Sequence, residues 1–380
     1  MTPWREAKAA ARRRQRLWQL RDLRGAPKPP ACAQEPVTVL GLFGTTAGLG
    51  EAARLLADGL EALGRDVARI DVTRALDPAR GTAFASDPDP GRGPVIVHLN
   101  PMEAAEVIAA MPLGDVRKRR RIGVWLHETT AVPPLWPRYA PLFHEIWSPG
   151  EASAAALREH GIAARCVPYM HRARPARDWG QRDRFHVLVM ADYHSSLARK
   201  NIGGALEAFG RAFGPGDAVL QLKIANLPAR HALRAQLAGS PDVQLIERDM
   251  DAAATQALIG RADALLSLHR GEGYGLTLVE ALMLGTPVVM SDEPTTAWLH
   301  TPGATYAVGG RAVAVRDPQG LYAGGEWFDA DLDRAAHALR ECRAAWASGA
   351  ARAARPTRRD AALARFTDPG RLDALSDALA

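Results

Sequence analysis

Short apolar runs alternate with amphipathic segments from residue 37 to about residue 170. The first run, at 37–43, is rich in β-branched residues, and the segment after it carries apolar residues at the three- and four-residue spacing of a helix. Five more apolar runs follow, with helical patterns over 103–111 and 151–160 among them. Because alternating strands and helices build parallel sheets covered on both faces, we predict an α/β, Rossmann-like domain over 37–170.

The same alternation starts again at residue 185. The stretch 171–184 before it is crowded with Arg and Asp and has no apolar period, so we interpret it as an interdomain linker. Apolar runs and helical patterns then alternate as far as residue 290, which predicts a second Rossmann-like domain over 185–328. Residues 329–380, rich in Ala and Arg, are predicted to be helices that pack back on the body. The predicted architecture is two doubly wound domains facing a cleft.

The first 36 residues differ in charge and composition from the rest of the chain. Residues 1–24 hold eight basic and two acidic side chains and so account for the whole net charge of +6. Residues 25–36 contain four prolines and no periodic pattern. We therefore predict a basic head and a Pro-rich linker over 1–36, ahead of a body whose charge is balanced.

Composition narrows the class of protein. A hydrophobic share of 47% among 380 residues is typical of a globular chain with more than one core. No apolar run approaches the roughly 18 residues of a membrane span, and the start of the chain has no apolar signal segment. The three cysteines have no paired spacing, which predicts free thiols. We expect a cytoplasmic protein.

A glycine-rich turn at 45–50 follows the first predicted strand and leads into a helix, where free N–H groups favour an anion or a hydroxyl-rich ligand. Gly48, Gly50 and Ala53 satisfy the spacing of a dinucleotide-binding turn, and Asp71 lies near the distance of its ribose-binding acid. That pattern leaves an NAD-dependent oxidoreductase open. Because the first glycine comes five residues after Phe43 rather than at once, a structural turn without a ligand also stays open.

The strongest local pattern is SLHRGEGYGLTLVEA, at 267–281. A predicted strand ends in a turn with three interleaved glycines, and a helix starts near Gly275. Glu272 lies in the turn, and Glu280 lies just over one helical turn inside the helix. Two carboxylates so placed can bind two hydroxyl-rich parts of one ligand, with a diphosphate between them at the helix start. The alternative is a pair of solvated surface glutamates.

This segment resembles the E-x7-E region of retaining GT-B glycosyltransferases of the family 4 type, also named glycosyl transferases group 1, which build bacterial surface polysaccharides. The resemblance extends over about 37–315. Other segments share it: TTAGLGEAARLLADGLEALG in the first domain, DYHSSLARKNIGGALEAF at the start of the second, and GTPVVMSD after the glutamate helix. It implies a GT-B fold and a role for each matching residue.

By this resemblance, Glu272 holds the hydroxyls of the donor sugar and Glu280 accepts hydrogen bonds from the ribose of the nucleotide. Lys200 neutralises the leaving diphosphate. The segment that faces the sugar and phosphates is Gly273, Tyr274, Gly275, Leu276 and Thr277. The turn that lines the acceptor side is Gly48, Leu49 and Gly50.

One position departs from the family pattern. Ser195 stands where the family commonly has an Arg, five residues before Lys200. Either Arg199 or His194 supplies the missing cation, or diphosphate is bound in a different way.

Four further residues are candidates by position. His127 and Glu128 end the segment IGVWLHE, where open α/β sheets place ligand groups and where the family often contacts the donor sugar. His269 and Arg270 directly precede the glutamate turn and either point into the same cleft or are satisfied structural groups. The eleven histidines show no metal-binding spacing, so we predict no metal site.

The resemblance implies a retaining, metal-independent transfer of a hexose from a UDP- or GDP-linked sugar to a saccharide or lipid-linked saccharide acceptor, with no cofactor. We expect the basic head and the cation run at 117–121 to attract an anionic membrane surface at its inner face. Nucleic acid is not an expected partner, because no recognition motif accompanies the charge. The alternatives are a GT-B nucleotide-sugar epimerase, an NAD-dependent oxidoreductase and a non-catalytic membrane-binding protein.

Overall fold

The computed structural model describes residues 15, 17–25, 36–46, 48–77, 84–89, 91–129, 131–173, 182–248, 250–322 and 324–380. The chain divides into two compact units. The first comprises Met1–His127, Val132–His171 and Pro369–Ala380, and the second comprises Glu128–Ala131 and Arg172–Asp368.

The first unit contains a six-stranded parallel sheet with the strand order β2-β1-β3-β4-β5-β6. Its strands are β1 Val37–Gly41, β2 Val67–Asp71, β3 Val95–Val97, β4 Arg121–Val124, β5 Glu145–Ser148 and β6 Ala164–Cys166. Its helices are α1 Gly48–Ala62, α2 Thr73–Leu76, α3 Pro101–Ala110, α4 Leu113–Lys118 and α5 Glu151–Glu159, with short 3-10 turns at Arg21–Leu23, Trp136–Arg138 and Ala140–Leu142.

The second unit also has a six-stranded parallel sheet, in the order β12-β11-β10-β7-β8-β9, and an antiparallel hairpin β13-β14. Its strands are β7 Phe185–Asp192, β8 Ala218–Ala225, β9 Val243–Ile246, β10 Ala264–Ser267, β11 Val288–Ser291, β12 Thr305–Val308, β13 Gly310–Ala314 and β14 Glu326–Ala330. Its helices are α6 Ile202–Ala212, α7 Ala232–Leu237, α8 Ala252–Arg261, α9 Leu276–Met283, α10 Leu332–Ala347, α11 Ala350–Ala353 and α12 Arg355–Phe366. Tyr193–Ser195 and Ala297–Leu299 are 3-10 turns, and α13, Gly370–Leu379, returns to the first unit.

Burial explains why these segments form these elements. Every residue of β1 is buried, and α1 turns the face that carries Ala53, Leu56 and Leu60 inward. Gly41 allows the helix to approach the strand, because a Cβ at this position would lie 2.7 Å from the Cβ of Ala53. The α/β fold class with two doubly wound Rossmann-like domains is confirmed. The hairpin β13-β14 was not predicted.

Part of the predicted head belongs to the first unit. Leu20 and Leu23 are 0% and 2% exposed and lie in the core of that unit, with Leu17 packed against it. The charge of the predicted basic head over 1–36 did not indicate this packing, in which the leucines bury apolar area that a charged tail would leave exposed. The other basic residues of the head, within 1–14 and 16, and most of both predicted linkers, at 26–35 and 174–181, lie outside the described residues.

The cation run at 117–121 is not the exposed patch that its composition predicted. Arg119, Arg120 and Arg121 are 3%, 4% and 1% exposed, and only Arg117 and Lys118 face solvent. These three arginines lie at the start of β4, and each guanidinium group has a partner within the protein. The partners are Asp89 for Arg119, Glu145 for Arg120, and the carbonyl oxygen of Leu142 for Arg121. Buried, hydrogen-bonded cations cannot attract lipid, so this part of the membrane prediction is wrong.

Two further results concern the whole described chain. Cys166 and Cys342 are free thiols, as predicted, whereas Cys32 lies outside the described residues. Among the residues described, no helix combines the length and the apolar character needed to cross a membrane.

Candidate active site

The candidate site of the second unit lies at the carboxyl ends of β7 and β10. These strands are neighbours and run parallel, so the turn that follows β7 and the glycine-rich turn that follows β10 meet at one edge of the sheet. The main-chain N–H of Arg270 donates to the carbonyl of Arg199 at 2.7 Å and joins the two turns. Ligand-binding groups of open α/β sheets collect at this edge.

Glu272 is the central acid of the site. Its side chain is 15% exposed, accepts a hydrogen bond from Lys200 Nζ and lies 3.6 Å from Arg199 Nη1. Burial alone would raise the pKa of Glu272, but the charges of Lys200, Arg199 and His269 outweigh burial and hold the pKa well below its usual range. The carboxylate is therefore ionised at neutral pH and can only accept hydrogen bonds.

Arg199 is buried behind Glu272. Its side chain is 1% exposed, and its Nη2 lies 3.2 Å from Glu128 Oε1. Its Nη1 donates to the carbonyl of Gly271 at 2.6 Å, and its Nε donates to that of Ser195 at 3.2 Å. Burial by itself lowers the pKa of Arg199, yet the carboxylates of Glu128 and Glu272 raise it overall. Arg199 is thus a permanently charged group that fixes both carboxylates and both turns.

Tyr322 completes this buried cluster and was not among the residues predicted from the sequence. It lies in the loop between β13 and β14; its hydroxyl donates to Glu128, and its ring lies 5.6 Å from the guanidinium carbon of Arg199. Burial and the neighbouring Glu128 raise the pKa of Tyr322, so the phenol stays protonated. The same loop contacts the turn after β7, because Asp317 accepts from Ser196 Oγ at 2.8 Å. The glycines of this loop were the one feature of the sequence that could have drawn attention to it.

The glycines of the turn after β10 are required by close packing and by backbone conformation. A Cβ on Gly271 would lie 2.0 Å from the carbonyl oxygen of Glu128. Gly275 has φ +87° and directly precedes α9. The backbone N–H groups of the first helical residues, Leu276 and Thr277, have no intrahelical acceptor and form the positive end of α9. Glu280 lies one turn further along, partly exposed.

The remaining candidates of this unit have local partners. His269 is fully buried between Ser267 Oγ at 3.0 Å and Thr296 Oγ1 at 3.1 Å, with Glu293 3.3 Å away. Arg270 forms a salt bridge with Asp329 at 2.8 Å. Gly273 and Tyr274 are buried within the turn.

Two residues bear on the missing family cation. Ser195 Oγ donates to the carbonyl of Asp192, and His194 is 42% exposed beside the same aspartate. Of the two candidate cations, Arg199 lies 3.6 Å from the Glu272 carboxylate, whereas His194 lies beside Asp192.

The first unit holds the other predicted residues. Gly48, Leu49 and Gly50 form the first turn of α1, where a Cβ on Gly50 would lie 2.5 Å from the carbonyl oxygen of Leu42. The Asp71 carboxylate accepts from the main-chain N–H of Gly44 at 2.9 Å and from Thr73. Asp71 therefore stabilises the turn after β1 instead of presenting a free carboxylate to a ribose.

The two residues that end IGVWLHE fall in different units. His127 is 3% exposed in the first unit, with its main-chain N–H bonded to Ser153 Oγ and its ring 5.5 Å from that of Trp136. Glu128 belongs to the second unit, although the predicted domain 37–170 contained it. Its partner Arg199 explains this placement.

A family model described as "Family 4 Glycosyltransferase in conflict systems" matches residues 150–359, more than half of the chain. The chain belongs to this family. It is therefore a glycosyltransferase, and the resemblance inferred from the E-x7-E segment is confirmed. Family membership also favours this enzyme class over the oxidoreductase and the non-catalytic binder. No curated protein matches the chain in sequence.

Solved structures of glycosyltransferases share the fold at low identity. Sucrose-phosphate synthase from Thermosynechococcus elongatus is 14% identical with a TM-score of 0.66, over 91% of this chain and 98% of the other. Anabaena Alr3699/HepE in complex with UDP and glucose is 13% identical with a TM-score of 0.60, over 91% and 99%. The pneumococcal O-GlcNAc transferase GtfA, in complex with UDP and GlcNAc, is 15% identical with a TM-score of 0.52, over 75% of this chain. The match spans 56% of GtfA, little more than half its length. The fold is GT-B.

Proposed function

We propose that this glycosyltransferase moves a hexose from a UDP-linked sugar to an acceptor hydroxyl, with retention of configuration and without a metal ion. The observation that carries the proposal is the pairing of Glu272 with Lys200 beside the start of α9. Two solved proteins of the same fold hold UDP together with glucose or GlcNAc, which supports uridine as the base.

Charge balance explains how this site would receive a donor. Arg199 and Lys200 offset Glu128 and Glu272, so the four groups are together neutral. A diphosphate would compete with Glu272 for the ammonium group of Lys200, which is 19% exposed. Glu272 would keep Arg199 as a counterion and turn its free lone pairs to the hydroxyls of the donor sugar. Glu280, one turn inside α9, would accept from the ribose diol.

The reaction needs stabilisation of the charge that grows on the departing diphosphate. Lys200 and the N–H groups at the start of α9 can supply it as fixed positive groups, which is the contribution that a metal ion makes in other transferases. The acceptor oxygen would bond to the anomeric carbon on the face that the diphosphate leaves. The proton of the acceptor hydroxyl would pass to the departing phosphate oxygen, so no protein nucleophile is required.

The test is release of UDP from UDP-glucose or UDP-GlcNAc by the purified full chain in the presence of EDTA, with the anomeric configuration of the product read by NMR. With water as the acceptor in this assay, we expect release to continue in EDTA and the α-linked donor to yield the α anomer of the free sugar before mutarotation. Strict dependence on a divalent metal, or an inverted product, would refute the mechanism.

Two variants separate the roles of the glutamates. Glu272→Ala should lower turnover strongly, because contacts at the reacting sugar strengthen in the transition state. Glu280→Ala should chiefly weaken UDP binding, by about 1.5–3 kcal/mol for a hydrogen bond to a charged group. Glu341→Ala, at an exposed glutamate of α10, is the control and should change neither quantity. Equal and small effects at Glu272 and Glu280 would mean that neither carboxylate contacts the donor.

For the acceptor, we propose a saccharide or a lipid-linked saccharide presented at an anionic membrane. Support for the membrane rests on the charge of the first residues alone, because most of the 117–121 run is buried. The test is sedimentation with anionic vesicles after deletion of residues 1–14, a deletion that spares Leu20 and Leu23 in the core. Reduced binding with unchanged UDP affinity is expected. Equal sedimentation of the truncated and full-length chains at low salt would remove the support for a lipid-linked acceptor.

A further inference from the structure

The turn after β11 lies against the turn that contains Glu272. β10 and β11 are neighbouring parallel strands, so the segments that follow them leave the sheet at the same edge. In the segment after β11, the hydroxyl of Thr295 donates to the main-chain carbonyl of Glu272. This bond joins the two turns at the acid that the proposed function places beside the donor sugar.

Glu293 fixes the backbone around Thr295. Its side chain is 6% exposed, and its carboxylate accepts from the main-chain N–H of Thr295 at 3.0 Å and from Thr296 Oγ1 at 3.0 Å. Nε2 of His269 lies 3.3 Å from the same carboxylate. Burial alone would raise the pKa of Glu293, but His269 and the hydrogen bonds from Thr295 hold it below its usual value. Glu293 is therefore an ionised acceptor that shapes the turn after β11.

The Thr295 hydroxyl can donate to Glu272 while the turn after β11 stays ordered. The hydroxyl has one proton and two acceptors within reach, the carbonyl of Glu272 and the carboxylate of Glu293. Glu293 keeps donors without this proton, namely the N–H of Thr295 and the hydroxyl of Thr296. The hydroxyl proton of Thr295 is therefore available to the carbonyl of Glu272.

The bond from Thr295 gains importance when a donor enters the site. In the structure, the carboxylate of Glu272 accepts from Lys200 and lies 3.6 Å from Arg199. Under the proposed function the diphosphate draws Lys200 away, so the side chain of Glu272 loses one of these two cations. The bond to the main-chain carbonyl does not involve Lys200 and is kept.

We propose that Thr295 is a positioning residue for Glu272, whose main chain it holds so that the carboxylate stays aimed at the donor sugar after Lys200 has turned to the diphosphate. The inference rests on the proposed function, because it takes the donor sugar to be the ligand of Glu272. A displacement of about 1 Å at a reacting centre can cost roughly a hundredfold in rate. Thr295 should therefore affect the chemical step more than the affinity for the nucleotide.

Substitutions at Thr295 separate its hydroxyl from its shape. Thr295→Val keeps the shape and removes the donor, whereas Thr295→Ser keeps the hydroxyl and removes the methyl group. The matched control is Thr286→Val. Thr286 is fully buried in the same unit, and its hydroxyl likewise donates to a main-chain carbonyl, that of Ile259, at 3.0 Å. Thr286 precedes β11 and Thr295 follows it, so the two residues lie at opposite edges of the sheet.

The first measurement is the kcat of UDP release from UDP-glucose or UDP-GlcNAc by the full chain, together with the Kd of UDP from titration calorimetry. We expect Thr295→Val to lower kcat at least about tenfold and to leave the Kd of UDP within about twofold. Thr295→Ser should restore kcat to within about threefold of the wild type, and Thr286→Val should stay within about twofold of it. Far-UV circular dichroism of each variant confirms that it is folded.

The second measurement needs no ligand. Hydrogen exchange of the peptide that contains 271–275, followed by mass spectrometry, reports how firmly the Glu272 turn is held. Loss of one hydrogen bond should speed this exchange about threefold or more in Thr295→Val, and by less in Thr295→Ser and Thr286→Val. Because no donor is present, the result separates positioning of Glu272 from direct contact between Thr295 and the donor.

A kcat of Thr295→Val equal to that of the wild type would overturn the inference and leave the proposed function standing. An equal loss of kcat in Thr295→Val and Thr286→Val would also overturn it, since the effect would then be general destabilisation. Failure of the proposed function has a different signature, namely no UDP release by the wild-type chain. In that case the exchange measurement still decides, and unchanged exchange in Thr295→Val would overturn the positioning role.

Discussion

Replacing Arg199 by methionine tests whether the buried charge cluster stabilises the second unit. Arg199→Met keeps most of the side-chain volume but removes a cation that contacts both Glu128 and Glu272. Breaking a buried ion pair by removing one partner costs about 3–5 kcal/mol. Because Glu128 keeps the Tyr322 hydroxyl and Glu272 keeps Lys200, we expect the lower end of that range.

The matched control is Arg270→Met, two residues from Glu272 in sequence. Arg270 and its partner Asp329 are 27% and 33% exposed, and partly exposed pairs of this kind contribute at most about 1 kcal/mol. In a unit of this size each kcal/mol corresponds to roughly 2–4 °C of melting temperature. Differential scanning calorimetry should therefore show a loss of about 6 °C or more for Arg199→Met and a much smaller loss for Arg270→Met.

A second substitution identifies the source of the cost. If Arg199→Met destabilises because it leaves a carboxylate without its counterion, Glu128→Gln in the same chain should restore part of the lost stability, about 1–2 kcal/mol. If Arg199→Met and Arg270→Met melt within experimental error of each other, the buried cluster does not stabilise the unit. If Glu128→Gln lowers stability further in the Arg199→Met background, an unpaired carboxylate is not the source of the cost.

Three further substitutions test other contacts of the described chain. Gly271→Ala should destabilise by about 1–3 kcal/mol in urea unfolding, because its Cβ would meet the carbonyl oxygen of Glu128, whereas Gly203→Ala, with open space, should not. His98 is fully buried, and burial lowers its pKa to about 4; its contribution is complete above pH 6.5 and is lost as pH falls toward 4, so the wild-type chain should lose about 3 kcal/mol more than His98→Asn over that interval. Tyr322→Phe should lower the melting temperature while UDP still binds, since it removes only the bond to Glu128; unchanged melting would argue against that bond.

The sequence predicted the elements well because their signals are local. The runs that became β7, β8 and β10 are apolar, short and separated by helical patterns, so their burial could be read from neighbouring residues. The turn that contains Glu272 could be predicted equally well, since its glycines and acids lie within a few positions of one another.

Long-range partnerships could not be read in this way. Tyr322 meets Glu128 across 194 positions of sequence, and no local pattern pairs the two residues. The prediction for the cation run at 117–121 was wrong for the same reason. The length of the run indicated a solvated face. The guanidinium group of Arg120 can nevertheless be buried, because the carbonyl oxygen of Ala378, far away in sequence, accepts a hydrogen bond from it. Burial of charge depends on partners that only the tertiary structure brings together.

The path of the chain between the units has a consequence for how the protein can be divided. The backbone passes from one unit to the other four times: into and out of the excursion Glu128–Ala131, after His171, and before α13. A fragment cut at the predicted linker would leave Arg199 without the carboxylate of Glu128. It would also separate α13 from Arg120, which donates to the carbonyl of Ala378. A cut at that boundary removes a buried partner from each unit, so we expect neither fragment to be stable as an independent module.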